Sequence, residues 1–410
     1  MILNKTFIKI PATIALFATC LIACRRELPQ VNDPESGYAT SYADLFERFW
    51  STMNSRYQFW DKDTTDWDAM YTRYHPLFAK LDIYNEDDQR TSIRYFREML
   101  AGNLDGHLQV YFEYSPVLYD STIYPRLTQN EKHINPNFVS GELQRTPGYY
   151  YFTYYGIDAA NYLDAGSIYD VYDSPVLGYP ITVLGGTINN NVVYLGFDGQ
   201  ALSEAMVDPG INPLKSAYTA FSQALKNNPA IKGAIVDMRG STGGDGTDAT
   251  LMASGMIGKR LVIGSTRYKN GPGRLDYTPW TPTYIDPAPG AKAINVPLVI
   301  LTDVITFSAA EHITAALHAI PGAITVGTAT RGGNIGTMIN ANMQGKRGAD
   351  FKVVNIGDFM GMDCSAGRFR SPDGTEPIWG LKPDYEVPFD TLAIQAGRDP
   401  QLEKALSLIR

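Results

Sequence analysis

Residues 297–319 read PLVILTDVITFSAAEHITAALHA and hold the strand, turn and helix that decide the fold. The first five residues form an apolar run of strand length, and the segment from Ser308 onward has the composition of a helix. Further segments extend the alternation, with strands at 192–195, 234–237 and 324–326 and helices at 214–226 and 248–257. Repeated strand–helix units predict an α/β fold with a largely parallel sheet. Functional groups in such folds gather at the carboxyl ends of the strands.

Upstream of this α/β region the pattern is first helical and then strand-like. Apolar residues recur three and four positions apart in three successive segments, the first of which contains Leu45, Phe46 and Phe49. They predict an N-terminal helical domain over 38–107. The next segment is rich in tyrosine, and its alternation at 149–155 favours short strands. We therefore predict a β-rich insertion over 108–190, followed by an α/β core over 191–410.

The N-terminus has the features of an export signal. Two lysines precede an apolar stretch that is too short to span a bilayer and ends in Leu21-Ile22-Ala23-Cys24. This ending resembles the lipobox of bacterial lipoproteins, which implies a signal peptide over 1–23, lipidation of Cys24 and a tether over 24–37. We expect a cell-envelope lipoprotein of the outer membrane, on its periplasmic or surface face. The alternatives are an ordinary signal peptide with a chance cysteine, or an uncleaved anchor.

Composition narrows the possible functions. The formal net charge is −8, and no basic run offsets it, which argues against a nucleic-acid partner. The five histidines and three cysteines show neither H-E-x-x-H nor C-x-x-C spacing, so we expect no metal and no cofactor. If Cys24 is lipidated, Cys364 is left without a disulfide partner in the mature chain, and we expect it to be a small buried side chain.

Three short motifs contain side chains that are able to do chemistry. Ser308 precedes a helix, where it forms a capping box with Glu311, and it also has the helix N-terminal amides that could stabilise an oxyanion. A glycine loop at 237–244, DMRGSTGG, follows a buried strand, and paired glycines let a backbone amide approach a substrate. His107 stands in Asp105-Gly106-His107. Taken singly, each motif also fits a structural role, as a cap, a tight turn or a core histidine.

In their order along the chain, with D-G-H first, the glycine loop second and the Ser308 segment third, the motifs resemble the S41 serine peptidases. This family includes the tricorn core and the C-terminal processing proteases. The resemblance continues through Ser371-Pro372-Asp373-Gly374 and Gly380-Leu381-Lys382-Pro383-Asp384. It implies a crotonase-like α/β spiral and a peptide or protein substrate. It also implies Ser308 as nucleophile, with an oxyanion hole formed by the amide of Ala309 and one amide from Gly243 or Gly244.

The resemblance also bears on the identity of the general base. Processing proteases of the family use a lysine, but Arg368 stands at that position, and arginine does not deprotonate in proteins. The chain is therefore more similar to the tricorn-like branch, in which His107 matches the base and Glu376 is the nearest candidate for the supporting acid. Tricorn has a serine before its histidine, whereas this chain has Gly106. His312, one helical turn after Ser308, is the rival base.

These observations predict a serine endopeptidase or processing peptidase of the cell envelope. The alternative is a catalytically inactive lipoprotein of the same fold that binds peptides or glycans. The tyrosine-rich segment is the reason for considering this alternative. We see no carboxylate-binding loop of the PDZ type in the sequence, so recognition of a C-terminal tail is not supported. Tyr155 could either pack in the core or contribute to a substrate platform.

Overall fold

A computed structural model describes residues 39–112, 122–125, 155–333, 351–356 and 360–409, with the backbone alone for 351–356. The predicted signal peptide, the lipidation site Cys24 and the tether lie outside these residues, as do positions 113–121 and 126–154 of the tyrosine-rich segment. Within the described part of the chain, no helix combines the length and apolar character needed to cross a bilayer.

The elements alternate along most of the chain. The helices are α1 (Tyr42–Arg56), α2 (Trp67–Phe78), α3 (Glu86–Leu100), α4 (Leu202–Val207), α5 (Pro213–Asn227), α6 (Thr247–Ser254), α7 (Ala309–His318), α8 (Thr391–Gln395) and α9 (Pro400–Leu408). The strands are β1 (Gln109–Phe112), β2 (Ile168–Asp173), β3 (Pro180–Ile188), β4 (Val192–Phe197), β5 (Gly233–Asp237), β6 (Leu261–Tyr268), β7 (Thr281–Ile285), β8 (Leu298–Thr302), β9 (Ile324–Gly327), β10 (Phe351–Ile356), β11 (Met360–Ser365), β12 (Gly367–Arg370) and β13 (Tyr385–Glu386). Residues 155–161 are also helical.

The central sheet has seven described strands in the order β13-β9-β8-β5-β4-β3-β2. Strands β4, β5, β8, β9 and β13 are parallel, and β3 and β2 add an antiparallel edge. The predicted mixed α/β fold is thus confirmed. Val236 pairs with Ile300 and Asp237 with Leu301, so β5 and β8 end side by side. The chain segments that follow these two strands are the glycine loop and the turn before Ser308.

Apolar side chains fill both faces of this sheet. One face packs against α4 to α7 through residues such as Leu214, Met252 and Ile313. The other face packs against Tyr155, Leu402 and the rest of a cluster that includes α9. Strands buried on both sides read as continuous apolar runs, as in β5 and β8.

The three predicted N-terminal helices are present, and a polar cap begins each of them. The side chains of Ser41, Asp66 and Asn85 accept hydrogen bonds from backbone amides of α1, α2 and α3 respectively. Their buried core is shared with β1 and β11, through residues such as Val110 and Met362. Because β1 pairs with β11, which lies some 250 residues further along the chain, the packing of this helical region continues past the predicted boundary at residue 107.

Part of the segment predicted as a β-rich insertion belongs to the central sheet. Strands β2 and β3 belong to the central sheet, which therefore begins at Ile168 rather than after residue 190. Tyr155 stands at the start of the helical residues 155–161, not in a strand, and its side chain is fully buried. Its ring lies beside Gly196 and belongs to the core under the sheet, which favours the packing role over the substrate platform.

A buried ionic cluster ties the C-terminal helix to the end of β5. The Arg239 guanidinium contacts the carboxylates of Asp237 at 2.6 Å, Asp399 at 2.6 Å and Asp158 at 3.1 Å. Asp399 also caps α9 by accepting from the amides of Gln401 and Leu402. Removing one partner from such a cluster leaves an uncompensated charge in the interior, so Arg239 is a structural residue of the glycine-loop motif.

Candidate active site

Ser308 lies at the strained junction between β8 and α7. Its backbone has φ 57° and ψ −121°, a conformation that non-glycine residues rarely adopt and that is concentrated at functional sites. The Ser308 amide donates to Glu311 Oε2 at 3.0 Å, which confirms Glu311 as the partner in the predicted cap. The turn thus presents the Ser308 side chain beside the first amides of the helix, which have no intrahelical acceptor.

The turn before Ser308 is fixed to the glycine loop by hydrogen bonds. Asp303 accepts from the amides of Thr306 and Gly240, and the Thr306 hydroxyl donates to the Met238 carbonyl. The Phe307 amide donates to the Ser241 carbonyl at 3.0 Å. These bonds join the loops that follow β5 and β8 into one rigid unit around the nucleophile position.

Of the two candidate oxyanion glycines, Gly243 lies against Ser308. A Cβ built on Gly243 would be 2.7 Å from the Ser308 Cβ and 3.2 Å from the Ala309 amide nitrogen. A Cβ on Gly244 would instead meet the Gln200 carbonyl at 2.4 Å. Gly243 also has φ +102°, which favours glycine. The geometry therefore favours Gly243, together with Ala309, as the backbone that faces a substrate carbonyl.

His107, at the end of the N-terminal helical region, lies against the turn that contains Ser308. Its ring stacks on Phe307, the residue before Ser308, with centroids 4.5 Å apart. The Gly106 amide donates to the Gly333 carbonyl at 2.7 Å, and a Cβ on Gly106 would be 2.8 Å from the Gly332 carbonyl oxygen. The structure thus brings the D-G-H motif and the nucleophile turn together, as the sequence predicts.

Two residues lie beside the Nδ1 atom of His107. The Ser365 hydroxyl is 3.3 Å from this nitrogen, and the nearest Asp105 carboxylate oxygen is 3.9 Å away. Neither residue was among the site residues predicted from the sequence. Asp105 could have been noticed in the D-G-H motif, but Ser365 stands in no recognisable motif and comes close only because β11 pairs with β1.

Glu376 lies elsewhere. Within the described part of the chain, its carboxylate hydrogen-bonds Arg368 and forms an ion pair with Lys62 at 3.7 Å. Arg368 in turn contacts Asp61 and the Gln58 carbonyl, so this buried arginine fastens the segment after α1 to β12. Among the described residues, Glu376 is therefore paired with Arg368, whereas Ser365 and Asp105 lie beside the Nδ1 atom of His107.

Burial governs the electrostatics of the site. The pKa of His107 is lowered to about 3, chiefly by burial and further by the positive charges of Arg331 and His312. Arg331 lies over the Phe307 ring at 4.6 Å. Burial raises the pKa of Glu311 to about 7, although Thr330, Gly332 and Ser308 all donate to it. A neutral imidazole is the form that can accept a proton from a serine hydroxyl.

The remaining candidates have simpler surroundings. His312 is buried on α7, and its ring makes an edge contact with Phe369 at 6.3 Å. Cys364 is buried, as predicted. Among the described residues no group of three or more His, Cys, Asp or Glu side chains is arranged to hold a metal ion.

Comparison with known proteins identifies the relatives of this chain. Residues 210–387 match the sequence model of Peptidase family S41. No curated protein matches. The crystal structure of a “putative peptidase” from Parabacteroides merdae is 20% identical, with a TM-score of 0.65 over 90% of this chain and 97% of that one. A lipoprotein from Streptococcus agalactiae is 11% identical, with a TM-score of 0.47 over 91% of this chain and 98% of that one.

The family match covers the nucleophile side of the site. It includes the glycine loop, Ser308 and Glu376, whereas His107 lies outside it. The Parabacteroides structure shows that the fold of this chain is shared. The resemblance predicted from the motifs is thereby confirmed over residues 210–387, which match Peptidase family S41.

Proposed function

We propose that the protein is a serine-type endopeptidase or processing peptidase in which Ser308 is the nucleophile and His107 the general base. One observation supports the proposal: the His107 ring packs on Phe307, the residue before Ser308, while Gly243 lies close against Ser308. The family match supports a peptide or protein substrate. We also assign the core to the crotonase-like spiral, supported by the parallel strands β4, β5, β8 and β9.

The proposed mechanism is acyl transfer. His107 accepts the hydroxyl proton of Ser308 as the serine oxygen attacks the peptide carbonyl. The amides of Ala309 and Gly243 hydrogen-bond the oxyanion of the tetrahedral intermediate. His107 then gives the proton to the leaving amine, and the peptide C–N bond breaks. Water attacks the resulting ester by the same route and regenerates Ser308.

Labelling with a fluorophosphonate tests the nucleophile directly, because only an activated serine reacts efficiently. We expect the full chain to be labelled on Ser308 and the Ser308→Ala variant to be unlabelled. Ser371→Ala, which removes a partly buried hydroxyl from another motif, is the matched control and should label normally. Labelling that survives in Ser308→Ala would assign the nucleophile to another residue.

The same experiment addresses the binding alternative. Ser308 and His107 are each only 8% exposed, which would suit a fold that has lost turnover and kept a binding role. An unlabelled wild-type protein that still bound peptides or glycans would support that alternative and contradict the peptidase.

We further propose that the protein is a lipoprotein of the cell envelope, with Cys24 as the acylated residue. The proposal rests on the lipobox-like sequence before Cys24, which lies outside the described residues. Cys24→Ser should release the protein from the membrane fraction without changing its labelling. Persistent integral association of this variant would mean instead that the N-terminal segment stays as an anchor.

A further inference from the structure

Behind His107, a hydroxyl and a carboxylate from two distant segments form a chain of contacts. Ser365 Oγ is 3.3 Å from His107 Nδ1 and 2.7 Å from Asp105 Oδ1. The direct distance from Nδ1 to Asp105 Oδ1 is 3.9 Å, too long for a hydrogen bond. Ser365 therefore links the histidine to the carboxylate, and all three side chains are buried.

The direction of each hydrogen bond follows from the donors available. Asp105 accepts from the Ser365 amide at 2.8 Å, from the His107 amide at 2.9 Å and from the Ser365 hydroxyl. Because an ionised carboxylate only accepts, the single hydroxyl hydrogen of Ser365 is directed to Asp105. The contact with His107 is then a hydrogen bond only if Nδ1 carries the ring hydrogen. The neutral ring consequently has its lone pair on Nε2.

We propose that Ser365 and Asp105 are positioning residues that hold His107 in the tautomer with the hydrogen on Nδ1, through the relay Nδ1–H to Ser365 Oγ and Oγ–H to Asp105. The inference rests on the proposed function, because it assigns Nε2 as the atom that accepts the proton of Ser308. No proton leaves Nδ1 during the cycle. The carboxylate stabilises the imidazolium through the intervening hydroxyl while that species exists.

The packing explains why the hydroxyl comes from β11 and not from the residue before the histidine. Gly106 has no room for a side chain, since a Cβ there would meet the Gly332 carbonyl oxygen at 2.8 Å and the Phe307 ring at 3.1 Å. The pairing of β1 with β11 brings Ser365, two residues past the last β1–β11 pair, against Asp105 instead. The pairing of two strands that are remote in sequence thus provides the hydroxyl group that Gly106 of the D-G-H motif lacks.

The tautomer can be measured without any activity. In the full chain labelled with ¹⁵N-histidine, the His107 signal is assigned by its loss in His107→Gln. We expect hydrogen on Nδ1 at neutral pH in the wild type and a shift toward hydrogen on Nε2 in Ser365→Ala. Hydrogen on Nε2 in the wild type, or an unchanged tautomer in Ser365→Ala, would overturn the relay.

Kinetics then connect the relay to turnover. Ser365→Ala should slow fluorophosphonate labelling of Ser308 by at least about tenfold, and Ser365→Thr should restore much of the rate because it keeps the hydroxyl. Ser92→Ala removes an equally buried serine hydroxyl in the helical region and should leave the rate unchanged. An undiminished rate in Ser365→Ala contradicts the relay. A wild-type protein without Ser308 labelling contradicts the proposed function, while the tautomer measurement still decides the relay.

Discussion

The two sides of the candidate site are built in opposite ways. Ser308 and Gly243 come from loops that follow neighbouring parallel strands, so the nucleophile side is formed by a continuous stretch of strand–helix units. His107 comes from the helical region, and its surroundings are assembled from segments up to 260 positions apart, such as Asp105 and Ser365. Local sequence therefore determines the side of the site that contains Ser308, whereas long-range strand pairing determines how His107 is held.

The two sides also differ in the forces that fix them. The turn at Ser308 is held by backbone hydrogen bonds between loops, which keep Ser308 at its strained positive φ. The base is held by ring stacking on Phe307 and by glycine contacts at Gly106. Arg368 and Asp61 connect the regions at a distance from the chemistry. The site therefore needs both regions to be folded and docked.

The largest effect is expected from His107→Ala, which should lower kcat/KM by about 10³-fold because it removes the proposed general base. His312→Ala should keep activity within about tenfold of the wild type, since its ring packs on Phe369 and serves no proton transfer. We would measure the hydrolysis of a peptide substrate by the two variants and verify their folding with melting curves. If His312→Ala had the larger effect, the general base would be His312 on α7, next to Ser308. The base and the nucleophile would then come from the same side of the site.

A stability measurement tests whether the two regions fold as one unit. Tyr155→Ala should destabilise the central sheet by about 3–5 kcal/mol, because it empties a fully buried aromatic site. Tyr84→Ala, at a position 76% exposed in the helical region, is the control and should have little effect. We expect a single thermal transition that moves to lower temperature in Tyr155→Ala. Two separate transitions, of which only one moves, would show that the regions unfold independently.

The smallest effect concerns pH. His107 accepts a proton only when neutral, so activity falls as the pH drops through its pKa, and the pKa of about 3 places this acid limb far below the ordinary value for histidine. Arg331→Gln removes a nearby positive charge and should raise the pKa of His107, shifting the limb to higher pH by less than about one unit because burial remains. The pH profile of kcat/KM makes the measurement.

Arg370→Gln is the matched control for this shift. Arg370 also lies over an aromatic ring, that of Trp280, but its charge is not among those that act on His107. Its pH profile should coincide with that of the wild type. An acid limb near pH 6.5 in the wild type would mean that His107 is more hydrated during turnover than in this structure.

The order of the elements was predictable wherever periodicity was strong. The strands predicted at 192–195 and 234–237 occur as β4 and β5, and the helix predicted at 214–226 occurs as α5. Long apolar runs bounded by turn residues leave few alternatives. The membership of β2 and β3 in the central sheet was not predicted, because it depends on antiparallel pairing with β4 that a local pattern does not reveal. β2, at the edge of the sheet, is also mostly exposed and resembles a polar strand of an insertion.

The sequence by itself determined the α/β class, the family over 210–387 and the identity of Ser308 and His107 as candidates, because these depend on local periodicity and on short motifs. Only the tertiary structure decided which groups surround the base. It paired Glu376 with Arg368 and placed Ser365 between His107 and Asp105. The physical reason is that a hydrogen bond requires its two atoms to lie about 3 Å apart. The register of β1 on β11 sets these distances, and no local sequence pattern predicts that register.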